Sequence, residues 1–552
     1  MNQPASKADI ALIKQQITEM EDEMAEALQL FHKERASLLS ELNTMQAATR
    51  NLLPELLSYI FFLACDRETH QGQKLAHLLG GVCRQWRNIA MSTPSLWSSL
   101  IVSFGKSGTS GVGRERYDLV VLLQSHLERV QTFPLSLTFL FPARSSHPGP
   151  SAETLKLLSS VLFQKENTHK VHTLRLVHAP FTWILSFPPF PHLGYLGIYE
   201  EEISSQAPLN NQSRSSKSKS KSTQSVLPLL KSPRLYRLEV RGLNGLQFYY
   251  DESRLVWLTH ISLSRAPVEL CITLLSQCPN LVQFEFSDPL RGVSEAGSPR
   301  RSSLGTSTTA SNFSPTSSSN RISLRHLHHF GWAHAPETND HLRTFYKRLR
   351  FPNLTSLYWW SSGHTAALDA DALHYLLPNI PSSLVLLKIH FAPKWPRELV
   401  RLVCASVPTV QRLQLHGCDF VTMNNFLAVL DSSEDSVDPQ TSDRRGAMLK
   451  GRGQVYLPML RALAMDGIES SSPHTGDEAL EAAMADQIVG TLRSRSRDPT
   501  TAFALEISRR DGTGDSGWSK YIQDVYRILW KEGVEFRVWM DGRKTRLLGR
   551  EA

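Results

Sequence analysis

Four histidines crowd into one short stretch of this 552-residue chain, His326, His328, His329 and His334. Imidazole is the commonest metal ligand, and on a strand His326 and His328 would share a face. No cysteine or carboxylate stands beside them at ligand spacing, so the stretch does not complete a metal set, and no metal is expected. Gly105-Lys106-Ser107 has the ending of a phosphate-binding loop, but Leu100 stands where that loop needs its first glycine, and the segment reads as a flexible turn. Neither a nucleophile-elbow sequence nor a dinucleotide-binding glycine pattern occurs. The six cysteines, Cys65, Cys83, Cys271, Cys278, Cys404 and Cys418, form no Cys-x-x-Cys pair and lie in apolar segments. That suits reduced, buried thiols in a cytoplasmic or nuclear protein, not a disulfide framework. These residue types point away from catalysis and from any cofactor, and toward binding.

Composition narrows what is bound. Hydrophobic residues make up 41% of the chain and mean hydropathy is -0.24, the balance of a globular chain long enough for several domains or one extended one. No segment has the length and apolarity of a membrane span, and the opening MNQPASKADI lacks the apolar core of a signal peptide, so neither a membrane partner nor secretion is expected. The 60 basic residues exceed the 52 acidic ones by a modest +8, much of it in the Ser/Lys/Arg-rich stretches 213–221 and 299–303. These read as solvated loops, with phosphorylation or nuclear import as the alternatives. No aromatic residue is interleaved with the lysines, which gives no stacking platform for single strands, and nucleic acid is not expected as a partner.

The apolar residues suited to a protein partner come first between Leu53 and Trp97. Pro54 fits the first helical position, where its missing N–H has no intrahelical partner anyway. Leu56, Leu57, Ile60, Phe61 and Ala64 then spread over more than one face, so this helix must be covered on several sides. Leu75, Leu78, Leu79, Val82, Trp86, Ile89 and Ala90 follow at three- and four-residue steps as one stripe of a second helix, with Arg84, Gln85, Arg87 and Asn88 opposite. Gly80-Gly81 inside that helix costs ~1 kcal/mol per glycine relative to alanine. A unit this short buries too little apolar surface to stand comfortably alone, and either it caps the following domain or another protein covers it. The ordered set Leu53-Pro54-Glu55, Val82-Cys83-Arg84, Trp86-Arg87, Pro94 and Trp97 resembles an F-box. That resemblance implies docking on the small adaptor subunit of a cullin-RING (SCF-type) ubiquitin ligase, with Leu53, Pro54, Leu56, Ile60 and Trp86 as the adaptor-binding residues.

Ahead of this module Ile10, Ile13, Ile17, Met20, Met24, Leu28, Phe31, Leu38, Leu42 and Met45 keep helical steps, with Arg35 in the one polar slot, and define a long amphipathic helix within 1–48. Two successive four-residue steps meet at Met24 and loosen any heptad assignment, which leaves a coiled-coil dimer and packing on the chain's own domains both open. Such a helix before an F-box-like region is similar to the large F-box families of mushroom-forming fungi.

Downstream, Pro191, Pro233, Pro279, Pro352, Pro408 and Pro458 are each followed by apolar residues at plus two, plus five and plus seven, and 258–263 and 384–389 echo the frame without its proline. The frame resembles the strand segment of a leucine-rich repeat, in which the plus-two residue turns inward and the plus-five and plus-seven residues alternate into the core. Helical stretches 267–277 and 396–406 stop just before the next proline. Strand and helix in alternation, each unit unable to bury itself alone, predict a right-handed α/β solenoid over 146–552. The Ser-, Gly- and charge-rich stretches 204–225, 288–320 and 431–453 interrupt it and are expected to be disordered loops. Residues 49–100 form the F-box-like domain and 101–145 a connecting segment. A strand at 502–508, a helix around 518–530 and a strand at 534–540 read as the last turns of the solenoid.

The expected fold is therefore α/β, a long helix and a small helical module followed by an irregular leucine-rich-repeat-like solenoid. The expected function is substrate recognition for ubiquitination, with the helices holding the ligase adaptor, and through it a cullin, and the repeats holding an unidentified protein target. A repeat scaffold without ligase association is the alternative. In a leucine-rich-repeat strand the residue between the two core positions, and the one just after, point away from the core. Here they are Glu239 and Arg241, Glu285, Tyr358 and Trp360, Lys388 and His390, Gln414 and His416. Tyr358, Trp360, His390 and His416 would then neighbour one another as an aromatic and imidazole patch for the target. In the competing reading Trp359 and Trp360 both pack against flanking loops.

Overall fold

A computed structural model describes residues 7–46, 52–65, 69–104, 114–142, 150–200, 228–242, 252–266, 268–287, 321–333, 340–361, 366–431, 456–466, 478–495, 503–508, 527–528, 531, 536–540 and 543–544. The chain divides into two compact units, 1–99 with 128–133, and 100–127 with 134–552.

The first unit holds α1 (Lys7–Gln46), α2 (Pro54–Ala64), α3 (His70–Val82), α4 (Arg84–Met91) and a 3-10 turn at Pro94–Trp97. The second helix expected from the sequence is two helices. Cys83 drops to extended backbone, and its Sγ accepts the Trp86 N–H at 3.4 Å, capping α4. An extended residue resets the helical phase, so steps counted across it do not stay on one face. Ala76, Leu79, Ile89 and Ala90 point inward while Leu78 and Val82 are exposed. Gly80 and Gly81 remain helical with open space around them, and the Gly80 carbonyl accepts from Arg87 Nε at 2.9 Å, which ties α4 to α3. Leu57 and Phe61 of α2 complete this small core with Trp97, whose indole N–H donates to the Ala90 carbonyl at 2.8 Å. The apolar stripe of α1 lies exposed from Ile10 to Met45.

The second unit alternates strands and crossovers, and two of its elements begin or end in residues of the first, at Ser99 and at 128–130. Its strands are β1 (Ser99–Ser103), β2 (Leu135–Leu140), β3 (Val171–Val177), β4 (Tyr195–Tyr199), β5 (Arg237–Arg241), β6 (His260–Ser264), β7 (Gln283–Ser287), β8 (Ile322–Ser323), β9 (His329–Ala333), β10 (Leu349–Arg350), β11 (Ser356–Trp360), β12 (Leu386–His390), β13 (Arg412–His416), β14 (Ala462–Asp466), β15 (Phe503–Ser508), β16 (Phe536–Met540) and β17 (Arg543–Lys544). Its helices are α5 (Arg114–Val130), α6 (Ala152–Leu162), α7 (Lys165–Thr168), α8 (Phe181–Ile184), α9 (Val268–Gln277), α10 (Asp340–Arg348), α11 (Ala366–Leu376), α12 (Arg397–Ser406), α13 (Phe420–Leu430) and α14 (Glu478–Arg495). Fifteen of the strands form one sheet in chain order, β8 and β10 pairing separately. Every described pairing from β2 through β16 in that sheet is parallel, and β17 returns antiparallel. Parallel strands, each beside its predecessor in the sheet and most of them joined through an α-helix or, as at Pro228–Lys231 and Glu252–Trp257, a 3-10 turn, make a leucine-rich-repeat-like α/β solenoid.

The proline frame explains the core. At all six copies the plus-two, plus-five and plus-seven residues are buried, as in Leu354, Leu357 and Trp359 or Val410, Leu413 and Leu415. Where the chain leaves a strand, the next residue repeatedly takes a left-handed turn, at His178, Gly242, Arg265, Phe391 and Gly417. At Gly242, with φ +82°, a Cβ would fall 2.5 Å from the Glu200 carbonyl, so glycine is required there.

The sheet already begins at β1 and β2, within the stretch expected to be a connector. The alternation Leu135, Leu137, Phe139, all buried, is the signal. β15 and β16 extend the same sheet as expected. The Gly105-Lys106-Ser107 turn, the stretches 204–225 and 288–320, all of 431–453 except Asp431, and most of the helix around 518–530 lie outside the described residues.

Candidate functional site

The F-box-like residues fall into two sets. Leu53 is 62% exposed, Leu56 49% and Ile60 47%, and Tyr59 and Leu63 beside them are also in the open. Pro54 stands exposed at the first position of α2. Leu57 and Phe61, one residue along from Leu56 and Ile60, face the core instead. The helix thus spends one stripe on its own unit and leaves another uncovered. Trp86 differs from the rest of the predicted set. It is half-buried, with its ring centre 4.9 Å from that of Phe61, so it supports α2 from behind. Tyr59 and Leu63 are absent from the sequence-based set, although each stands three residues after one of its members, Leu56 and Ile60, which places them on the same side.

On the sheet, β9, β11, β12, β13 and β14 stand in register, so Ala333, Trp360, His390, His416 and Asp466 form one cross-strand row and Gly331, Tyr358, Lys388, Gln414 and Ala464 the next. The structure brings all four predicted residues together. Trp360 stacks on His390 with ring centres 5.0 Å apart and planes 21° apart, and His390 stacks on His416 at 4.9 Å and 14°. Tyr358 meets Trp360 edge-on at 5.9 Å, and Lys388 Nζ lies 4.9 Å above the Tyr358 ring. Trp360 is half-buried on the sheet face while Trp359 is in the core, so the two tryptophans do not share the loop-packed environment of the competing reading. Gly331 makes the ladder fit, since a Cβ there would come 2.6 Å from the Trp360 indole.

The ladder is terminated by acids at both ends. His416 Nδ1 lies 2.8 Å from Asp466 Oδ2. Burial pulls the His416 pKa down, against the opposing pull of that carboxylate. Burial, then the neighbouring His416 and Lys388, pushes His390 down to about 3. At the other end His329 Nε2 lies 3.0 Å from Glu285 Oε1, and its ring centre is 4.0 Å from that of Tyr358. Hydrogen bonding to His329 and Gln283 holds the Glu285 carboxyl below its ordinary range against the effect of burial. The stack therefore carries a neutral His390, with Nε2 of both His390 and His416 buried without a hydrogen-bond partner among the described residues, so the rings present mainly aromatic surface.

The histidines weighed for a metal do not converge. His329 is committed to Glu285, His328 Nδ1 contacts the Asn353 carbonyl at 3.0 Å, His326 sits in the preceding turn, and His334 lies outside the described residues. What the stretch builds is a repeat strand. Leu327, Phe330 and Trp332 keep the core spacing and are fully buried. Among the described residues no group of histidine, cysteine and carboxylate side chains has metal-binding geometry, and no helix is long and apolar enough to cross a membrane.

No protein-family model matches the chain, and no curated protein matches it. One solved structure it is similar to is a chain from the crystal structure of the Rad7 and Elc1 complex in yeast, at 13% identity, with 82% of this chain and 99% of that chain covered and a TM-score of 0.27. A likeness at that identity and score bears on neither partner nor function.

Proposed function

We propose that the protein is a substrate-recognition adaptor of an SCF-type ubiquitin ligase, in which α2 docks on the ligase adaptor, and through it a cullin, while the open face of the solenoid holds a protein target. Catalysis belongs to the partners. The observation that carries the reading is the uncovered row Leu53, Leu56 and Ile60 on a helix whose other stripe already closes a core around Leu57 and Phe61. A contiguous apolar patch on so small a unit is what a protein interface covers, and the row coincides with the F-box-like positions. The ring ladder supports the second half, because tryptophan and tyrosine held rigidly on a sheet are favoured binding anchors.

Immunoprecipitation of the full chain from cells with the ligase inhibited, probed for the adaptor and the cullin, tests the reading. Both should be recovered with the wild-type chain and neither with Leu56→Ala/Ile60→Ala. Recovery of neither by the wild-type chain would leave a repeat scaffold in place of a ligase subunit.

A further inference from the structure

We infer that the β3–β6 end of the same sheet face recognises an acidic segment of the target, whose carboxylates seat against Arg175 and Arg237. The inference rests on the reading that this face takes a protein.

Tyr195 and Tyr199 of β4 stand between Arg175 of β3 and Arg237 and Arg241 of β5. The Arg175 and Arg237 guanidiniums lie 5.3 and 5.4 Å from the centre of the Tyr195 ring, and that of Arg241 lies 5.5 Å from the Tyr199 ring. Gly197 opens the space for both tyrosines, since a Cβ there would come 2.9 Å from the Tyr195 hydroxyl. In the middle sits Glu239, only 9% exposed. It accepts from the Tyr195 hydroxyl at 2.8 Å and from Arg241 Nη2 at 2.7 Å. Burial would raise its pKa, but those bonds and the Tyr199 hydroxyl hold it down as a carboxylate.

Charge is therefore matched only in part. Glu239 answers Arg241. Arg175 and Arg237 form no ion pair among the described residues, and Arg175 Nε is buried with no hydrogen-bond partner. Arg237 acts on Glu285 at longer range, but that carboxylate is already engaged by His329 and Gln283. Nearby imidazoles register the surplus: His260 is depressed by burial and by Arg237, and His192 by burial, Arg234 and its neighbouring histidines.

A guanidinium laid against a tyrosine ring keeps its edge N–H groups for an in-plane acceptor, and a carboxylate matches that fork with two bonds. From there the register leads across the small side chains Ser262, Ser264 and Ser287 toward the ring ladder, a path an extended chain can follow. A nucleic acid fits less well. Its backbone needs repeated phosphate contacts, whereas two uncompensated guanidiniums flanked by Glu239 and Glu285 match one or two anionic groups.

The test is fluorescence anisotropy on the full chain with labelled peptides in which glycine alternates with glutamate, with lysine or with phosphoserine, and with a random-sequence DNA duplex. The glutamate peptide should bind more tightly than the lysine peptide, and Arg175→Gln/Arg237→Gln should weaken it about tenfold or more. If that double variant melts early, the exposed Arg237→Gln alone carries the comparison. Equal affinity for the glutamate and lysine peptides, or no loss in the arginine variants, overturns the inference. Arginine-dependent binding of the phosphoserine peptide alone, or of the duplex in preference to the peptides, overturns the carboxylate assignment. The titration needs no ligase adaptor, so its failure and the failure of adaptor capture are separate results.

Discussion

Asp369 of α11 is 1% exposed and accepts from three donors, Trp359 Nε1 at 3.1 Å, Ser361 Oγ at 2.5 Å and Trp395 Nε1 at 2.9 Å. It joins the core indole of β11 to the loop after β12, and so locks two successive repeats together. Asp369→Ala would strand two buried indole N–H groups and a hydroxyl, and chemical denaturation should show a loss of about 3 kcal/mol or more. His390 makes a second prediction. Its pKa is held at about 3 in the fold against 6.5 ordinarily. Between those values the unfolded chain binds a proton that the fold does not, so stability falls as the pH is lowered through that window and is untouched above it. His390→Gln removes this contribution. The drop in urea midpoint from about pH 7 to about pH 5 should be smaller in the variant than in the wild type, and an equal drop would mean that His390 protonates freely in place. The ladder was legible in the sequence, because the proline frame fixes which of Trp359 and Trp360 turns inward. Glu285–His329 and Asp466–His416 were not, since cross-strand partners depend on a register between distant segments.

At the scale of elements, α2 carries two stripes with opposite duties, and neighbouring residues separate them. Leu57→Ala opens the small core and should destabilise the first unit by about 2–5 kcal/mol. Leu56→Ala alters an exposed position and should stay within about 0.5 kcal/mol; thermal or urea unfolding of the two variants checks the contrast, and equal effects would mean the stripes are misassigned. The start of α2 was readable from Pro54. The break at Cys83 was not, because helical steps continue across it and only the backbone shows that the phase resets. The sheet is legible in the sequence wherever the apolar frame repeats, with its proline at six copies and without it at 258–263 and 384–389, and at the closing strands 502–508 and 534–540. β2 has the same inward alternation but lies in the stretch expected to be a connector, and in β9 the crowded histidines hide the buried Phe330 and Trp332 that mark a repeat strand.

In the whole molecule, the proposed function gives each unit its own interaction face, apolar on the helices of the first and aromatic with flanking charge on the sheet of the second. The two should fail independently. Trp360→Ala/His416→Ala should reduce target capture in a proximity-labelling comparison while the same sample keeps the adaptor, and joint loss with a lowered melting temperature would make those rings part of the core. The measurement that bears most directly on the ligase reading is a binding titration of the full chain against the purified ligase adaptor. The account predicts saturable binding by the wild-type chain, loss of affinity by tenfold or more in Leu56→Ala/Ile60→Ala, and an unchanged melting temperature. Undiminished binding by that variant, or no binding by the wild type, would contradict it.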